Sequence, residues 1–305
     1  MIEIEQYDLV VLGSGKAGKL LAWTLADEGA RVAVIERKYV GGACPNIACL
    51  PSKNIIHSAK VASYLSRGRE FGLAPSSRPI DMVAVRDRKR RMVDSEVEFH
   101  LQKYKQTGAE LIMGRGSFVG PKTLKVVLDA GGTRTLRGKA VAINTGTRAR
   151  IDDTPGLSDS RPLTHVEALD LDEVPPRLIV LGAGFVGLEL AQAMRRLGSH
   201  VMLVERNGSL LHREDPDISQ AVDALFRDEG IQVLTGTVVK SVEGKSGDYV
   251  CVHTTGGIID ATAYPAESGK AERRYRVLPQ IPRTRSQLCL VLLQPRRCHA
   301  GDEPR

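Results

Sequence analysis

The sequence has 305 residues, enough for about two domains of ordinary size. With 42% hydrophobic and 26% charged residues it excludes a disordered chain, a collagen-like fibre and a small disulfide scaffold, and aromatics at 4% leave the cores mainly aliphatic. The net charge of +7 points at first to an acidic partner such as nucleic acid.

The N-terminus, Met1-Ile2-Glu3-Ile4-Glu5, lacks the basic region of a signal peptide. No apolar run approaches the roughly 18 residues of a membrane span. The expectation is a soluble, cytoplasmic chain with no membrane contact. Leu9–Leu12 predicts a strand that ends on Gly13-Ser14-Gly15-Lys16-Ala17-Gly18 and opens a helix. The three glycines serve a tight turn (Gly13), close approach of the backbone to a pyrophosphate (Gly15) and helix-on-strand packing (Gly18). A second strand ends on Glu36, 23 residues after Gly13, where a carboxylate can accept from a ribose diol.

Cys44 and Cys49 follow, with Gly41-Gly42 before them and Pro51-Ser52-Lys53 after. In a regular helix five residues rise about 7.5 Å and turn about 140°. Bridged cysteines need Cα atoms within about 7 Å. A disulfide here therefore requires an irregular turn. On spacing alone the pair fits two buried thiols, half of a metal site or a redox disulfide. The dinucleotide turn just upstream favours the redox reading.

Residues 52–67 and 81–107 read as helices. The second carries Met82, Val85, Met92, Val97 and Leu101 on one face, and a basic run over 86–91 that is either an anion binder or a solvated face. Short strands are predicted at 111–118, 123–128 and 139–143. Pro155-Gly156, Arg161-Pro162 and Pro175-Pro176 read as a linker.

The chain then repeats itself with an offset of 169 residues: Leu178–Leu181, Gly182, Gly184, Gly187 and Glu205 match Leu9–Leu12, Gly13, Gly15, Gly18 and Glu36. Each copy is a βαβ unit. Two such turns call for two dinucleotides, most simply a flavin and a nicotinamide.

The segment from Gly41 to Lys53 resembles the redox-active disulfide motif of the class I pyridine nucleotide-disulfide oxidoreductases, a family that includes dihydrolipoamide dehydrogenase, glutathione reductase and mercuric reductase. The likeness rests on the double glycine, the gap between the cysteines and the Pro-Ser-Lys ending; Ala48 stands where the family usually has glycine. It extends over about residues 5–258. The resemblance implies an α/β fold of two Rossmann-like dinucleotide-binding domains, each of the three-layer ββα type. Residues 1–150 would bind FAD as an incomplete domain, and 151–260 would bind NAD(P)H.

Residue by residue, it implies that Gly13, Gly15, Gly18, Glu36 and Gly42 hold FAD, with Gly116 near the adenine and Thr145-Gly146 where the chain returns past the flavin. Cys49 would lie next to the flavin, and Cys44 would exchange with substrate. Lys53 would stand near the flavin and pair with Glu189. Gly182, Gly184, Gly187, Glu205, Arg206 and Val239 would bind the nicotinamide cofactor, with Phe185 as an aromatic gate; its bland alternative is core packing. Glu205 favours NADH over NADPH by repelling a 2′-phosphate, although the adjacent Arg206 weighs the other way.

The implied function is an enzyme that passes electrons from NAD(P)H through FAD to the Cys44–Cys49 disulfide and on to a small-molecule or protein disulfide, or another acceptor. The alternative is a catalytically impaired, truncated remnant that binds nucleotide weakly. Family members dimerise through a C-terminal domain that supplies a His–Glu pair, and neither that domain nor the pair is recognisable here. Residues 261–305 read as a non-homologous, disordered basic tail, either a polyanion-binding arm or an out-of-frame end. The tail holds +5 of the +7, so nucleic acid is a poor expectation. Cys289 and Cys298 are not an adjacent pair and give mercury reduction no support. No metal site is expected.

Overall fold

This computed structural model describes residues 3–74, 80–260 and 288–292, the last as backbone alone. The chain divides by contact into two units, Met1–Asn54 with Asp87–Thr147, and Ile55–Arg86 with Arg148–Arg305. The expected boundary at residue 150 falls close to this division. Residues 55–86, however, assort with the second unit, because Ile55, Ala59 and Met82 pack into its core.

In the first unit, β1 (Ile4–Leu12) is buried on both faces, as expected of a central parallel strand. Leu9 and Val11 point to one side with Ala22, Val32 and Val34; Val10 points to the other with Ala33, Ile35, Leu124 and Leu136. The helix α1 (Lys16–Asp27) leads to β2 (Val32–Glu36), which pairs parallel with β1. After α2 (Ala43–Ile47), α3 (Cys49–Ser66) and α4 (Met82–Thr107) come β3 (Glu110–Gly120), β4 (Thr123–Leu128) and β5 (Thr133–Ile143).

At 11 residues each, β3 and β5 are long enough to serve two layers. Glu110–Met113 run parallel to β2, and Gly114 onward runs antiparallel to β4. β5 starts antiparallel to β4 and runs on parallel to β1, which closes a five-stranded ring. β5 begins at Thr133 rather than Lys139. Gly131 and Gly132, at φ +93° and +85°, make the hairpin that starts it.

The second unit opens with the segment expected to be a linker, which is packed instead. Leu157 is buried in the core, and Val242 N donates to Pro155 O at 2.9 Å. Thr164 caps α5 (His165–Ala168) in a capping box with Glu167. There follow β6 (Arg177–Leu181), α6 (Phe185–Leu197), β7 (His200–Val204), α7 (Pro216–Asp228) and β8 (Gln232–Leu234), then an antiparallel sheet of β9 (Val239–Gly244), β10 (Val250–Thr254) and β11 (Gly257–Asp260). One cluster, with Val180, Leu190 and Leu203, fills the helix side of the parallel sheet. Another, with Ile179, Val204, Val242 and Val252, fills the space between the two sheets. Both units are thus the expected ββα sandwich.

The expectation of an unstructured tail fails at one place. β12 (Leu288–Leu292) pairs parallel with β6 from Leu288–Arg177 to Leu292–Leu181, because an apolar run can extend an open sheet edge. Tail residues 261–287 and 293–305, with Cys298, lie outside the described residues. The basic run is not a plain solvated face either. Lys89 is buried, Arg86 pairs with Asp172 at 3.4 Å, and Arg88 Nη1 donates to Asn54 O and Oδ1 at 3.0 Å. Among the described residues no helix is long and apolar enough to cross a membrane, and no three metal-ligating side chains cluster.

Candidate functional site

The first glycine turn is built around Ser14, which is fully buried. Its N–H and hydroxyl donate to Glu36 Oε2 at 2.9 and 2.7 Å, and its Oγ accepts from Gly41 N at 3.0 Å. Glu36 Oε1 accepts from Lys38 N and Tyr39 N at 2.9 and 3.1 Å. The strand-end acid therefore ties the turn to the loop that leads to the cysteines. Gly13 takes φ +103°, and a Cβ there would sit 2.3 Å from Asn144 O. Asn144 Nδ2 donates to Gly13 O at 3.0 Å and leans on Gly15 and Gly18. α1 starts at Gly15 with no side-chain cap, so its leading N–H groups and dipole are available to an anion.

The double glycine lets the cysteine segment lie on this turn. Gly42 has φ +84°, and a Cβ on it would come within 2.5 Å of Gly15 Cα. Asn46 Nδ2 ties the segment back to Val40 O and Gly42 O at 2.9 and 2.8 Å. Cys44 is in α2 and Cys49 begins α3. The helix breaks between them at Ala48, with φ −132° and ψ −104°, which is the irregularity that a bridge requires. Both are free thiols, Cys44 half-buried and Cys49 exposed. Burial pushes the Cys44 thiol up, its hydrogen bond with Cys49 adds to this, and the charges of Lys19 and Lys16 pull it back down. Lys53 is exposed, one helical turn beyond Cys49.

Gly116 lies in β3, where a Cβ would meet Leu12 Cδ1 at 2.7 Å and Ile35 Cγ2 at 3.3 Å, beside the ends of β1 and β2. Thr145 and Gly146 follow β5 after Asn144 and are exposed.

In the second unit the motif recurs in detail. Gly182 has φ +98° and donates to Val204 O at 2.8 Å. Glu205 is buried; its Oε2 accepts from Ala183 N at 2.7 Å, and its Oε1 from Asn207 N and Nδ2 at 2.8 and 2.5 Å. Gly184 begins α6 without a side-chain cap, and a Cβ on it would meet nothing within 4 Å. Gly187 is pressed on Gly182 O, 2.1 Å from its would-be Cβ. Phe185 is 64% exposed, so core packing does not explain it. Arg206 is exposed, Glu189 is half-buried in α6, and half-buried Val239 starts β9.

Four residues of the first turn were not singled out from the sequence: Ser14, Lys19, His100 and Asn144. Lys19 carried a signal, because it falls between Gly18 and Ala22 on the face that α1 buries. Asn144 stands directly before Thr145-Gly146. Nothing in the spacing points to His100, 81 residues from its partner Lys19.

The profile of the family described as pyridine nucleotide-disulphide oxidoreductase matches residues 7–265. The chain is 32% identical to a mercuric reductase of Staphylococcus aureus over 87% of its own length and 48% of the relative's. It is 37% identical to a mercuric reductase of Shigella flexneri over 77% of its length and 42% of the relative's. Among solved structures it is similar to the Cu(II) complex of the HOCl-induced flavoprotein disulfide reductase RclA from Escherichia coli, with a TM-score of 0.76 at 26% identity, covering 97% of this chain and 58% of that one. The chain thus spans about half the length of the curated relatives it matches.

Proposed function

This chain belongs to the pyridine nucleotide-disulphide oxidoreductase family, and on that premise we propose that it is a flavin-dependent oxidoreductase working through a Cys44–Cys49 disulfide. The observation that carries this reading is the contact of the Gly42 backbone with Gly15, which seats the cysteine pair on the first dinucleotide turn. The uncapped helix starts at Gly15 and Gly184 and the strand-end acids Glu36 and Glu205 fit two dinucleotides. Gly13, Gly15, Gly18, Glu36, Gly42, Gly116, Thr145 and Gly146 would hold FAD. Gly182, Gly184, Phe185, Gly187, Glu205, Arg206 and Val239 would hold the nicotinamide cofactor. Bound, these supply a hydride from the nicotinamide and its relay as an electron pair to the disulfide.

The chain's own residues do the rest. Two electrons and two protons open the Cys44–Cys49 bond. Cys49 would stay beside the flavin with Lys53 near it, and Glu189 is the further residue proposed for catalysis on the family likeness. Cys44, as thiolate, attacks the acceptor. The acceptor is thiophilic, a disulfide or a soft metal ion; relatives named mercuric reductase and disulfide reductase support this class. Glu205 is fixed by three accepted hydrogen bonds and would face a 2′-phosphate with a like charge, so NADH is the proposed donor.

The test is the visible spectrum of the purified chain before and after anaerobic NADH. A yellow protein that gains a long-wavelength band is expected. Cys49→Ser should abolish the band and Cys44→Ser should keep it. A colourless chain, or two variants that behave like wild type, overturns the reading.

A further inference from the structure

Lys19 is buried, and a buried ammonium is costly unless its surroundings compensate it. Its Nζ is bonded to His100 Nε2 and reaches Gly41 O at 3.5 Å. The tautomer of His100 follows from its other nitrogen. Nδ1 meets Glu96 O at 2.5 Å, and a carbonyl can only accept. Nδ1 therefore carries the hydrogen, Nε2 is bare, and Lys19 is the donor. An imidazolium against the ammonium would place two positive charges in contact, so the pair holds one charge. Burial and the Lys19 charge both push the His100 imidazole down.

This pair lies directly under the cysteine segment. A Cβ on Gly41 would come within 2.9 Å of His100 Nδ1. The charges that bear on Cys44 are those of Cys49, Lys19 and Lys16; burial pushes the Lys19 ammonium down, the charges of Cys44 and Glu96 hold it up, and Lys16 adds to the lowering. Lys16 is exposed and screened by water, whereas Lys19 is buried and held in place. Trp23 completes the cluster, stacked on His100 with centroids 5.7 Å apart at 24° and lying 5.7 Å from Lys19 Nζ.

We propose that Lys19, held by His100, is a positioning residue that sets a single fixed positive charge against Cys44 and governs how readily its thiol becomes the attacking thiolate. The inference rests on the reading of Cys44 as the exchanging thiol only for its purpose. The electrostatic coupling itself is testable without flavin or acceptor.

In the reduced full chain, the rate of iodoacetamide alkylation at Cys44 is followed by peptide mass mapping between about pH 5 and 10. Lys19→Met should move the midpoint up by about one pH unit and slow alkylation at neutral pH about tenfold. Lys19→Arg, which keeps the charge, should stay near wild type, and His100→Phe, which keeps the stack on Trp23, should shift in the same direction as Lys19→Met but less. A folded Lys19→Met chain with the wild-type profile overturns the proposal.

Should the variants fail to fold, the wild type still reports, because Trp23 is its single tryptophan and an imidazolium stacked on indole quenches emission. No quenching step should appear at or above the ordinary histidine value of about 6.5, and a step there overturns the shared charge. Alkylation needs no FAD, so a chain that proves colourless and a chain whose Cys44 ignores Lys19 are distinct outcomes.

Discussion

Gly15 and Gly184 stand at the same place in a repeat of 169 residues, yet a Cβ on Gly15 meets Asn144 Nδ2 at 2.8 Å and one on Gly184 meets nothing within 4 Å. The backbones around them are alike: Gly13 and Gly182 share their positive φ, and Glu36 and Glu205 each bond the N–H of the residue after that glycine. What differs is what leans on the turn. In the first unit Asn144 and the double glycine of the cysteine segment lie on it, and Lys19 and His100 lie beneath that segment. In the second, no described residue leans on Gly184, and Phe185 is exposed beside it. The helix start of the first motif is thus covered by its neighbours, and that of the second, at Gly184, is left open. Under the proposed function, the first suits a resident flavin and the second a nicotinamide cofactor that must come and go.

Substitutions at the glycines should separate the two turns most strongly. Gly42→Ala puts a side chain at φ +84° and its Cβ 2.5 Å from Gly15 Cα, so it should cost about 3 kcal/mol or more, read as a lower urea midpoint, and lose bound flavin. Gly184→Ala has φ −79° and an empty surround, so its urea midpoint should match wild type. Its methyl would cover the backbone that a pyrophosphate approaches, and NADH binding should weaken. Equal losses of stability at the two positions would erase the contrast.

The strand-end acids should differ in the same sense and by less. Glu36 accepts four hydrogen bonds, three from backbone N–H groups and one from the Ser14 hydroxyl. Glu205 accepts three, one of them from the side chain of Asn207, which can rearrange. Bonds to a charged acceptor are worth about 1.5–3 kcal/mol each, and Gln retains part of them. Glu36→Gln should therefore cost about 2–3 kcal/mol and Glu205→Gln about 1–2 in urea unfolding. The reverse order would mean that the two acids are not equivalent clamps.

The shared frame of the two turns is legible in the sequence. Leu9–Leu12 and Leu178–Leu181 are apolar enough to be central strands, and the glycines and acids that follow fix the turns. The first half of β5 was hidden, because Thr133, Arg134 and Thr135 carry no apolar alternation; they become a strand by pairing with β4. Leu157 was hidden by the Pro-Gly signal beside it, which marks a turn but not whether the turn is packed. The Lys19–His100 pair was invisible for another reason. Its partners lie on α1 and α4, and only tertiary packing brings them under Gly41. Spacing identifies residues that share one short segment, and the cysteine pair is such a case. It does not identify a site assembled from two elements far apart in the chain.

The smallest expected effect concerns how the first unit closes its ring, a device without a counterpart among the described residues of the second unit's parallel sheet. Arg134 bonds Glu5 on β1 at 2.6 and 2.7 Å and Glu110 on β3 at 2.7 Å, and its Nη2 also donates to the Tyr7 hydroxyl at 3.0 Å. The hydrogen bond from Arg134 holds Glu5 below the usual carboxylate range. At Glu110 burial works the other way, and the bonds from Arg134 and Tyr7 outweigh it. Burial, with the bond to Glu110, lifts the Tyr7 hydroxyl to about 12, so it stays a donor at neutral pH. Both carboxyls titrate lower folded than unfolded. Their contribution is therefore present above the ordinary value of about 4.3 and is lost as pH falls through the folded values. Arg134→Met should lower the urea midpoint at pH 7 modestly, since these groups are partly exposed and screened. The gap to wild type should close as both are taken well below pH 4. A gap that stays constant with pH would show that Arg134 acts through the packing of its stem and not through its charge.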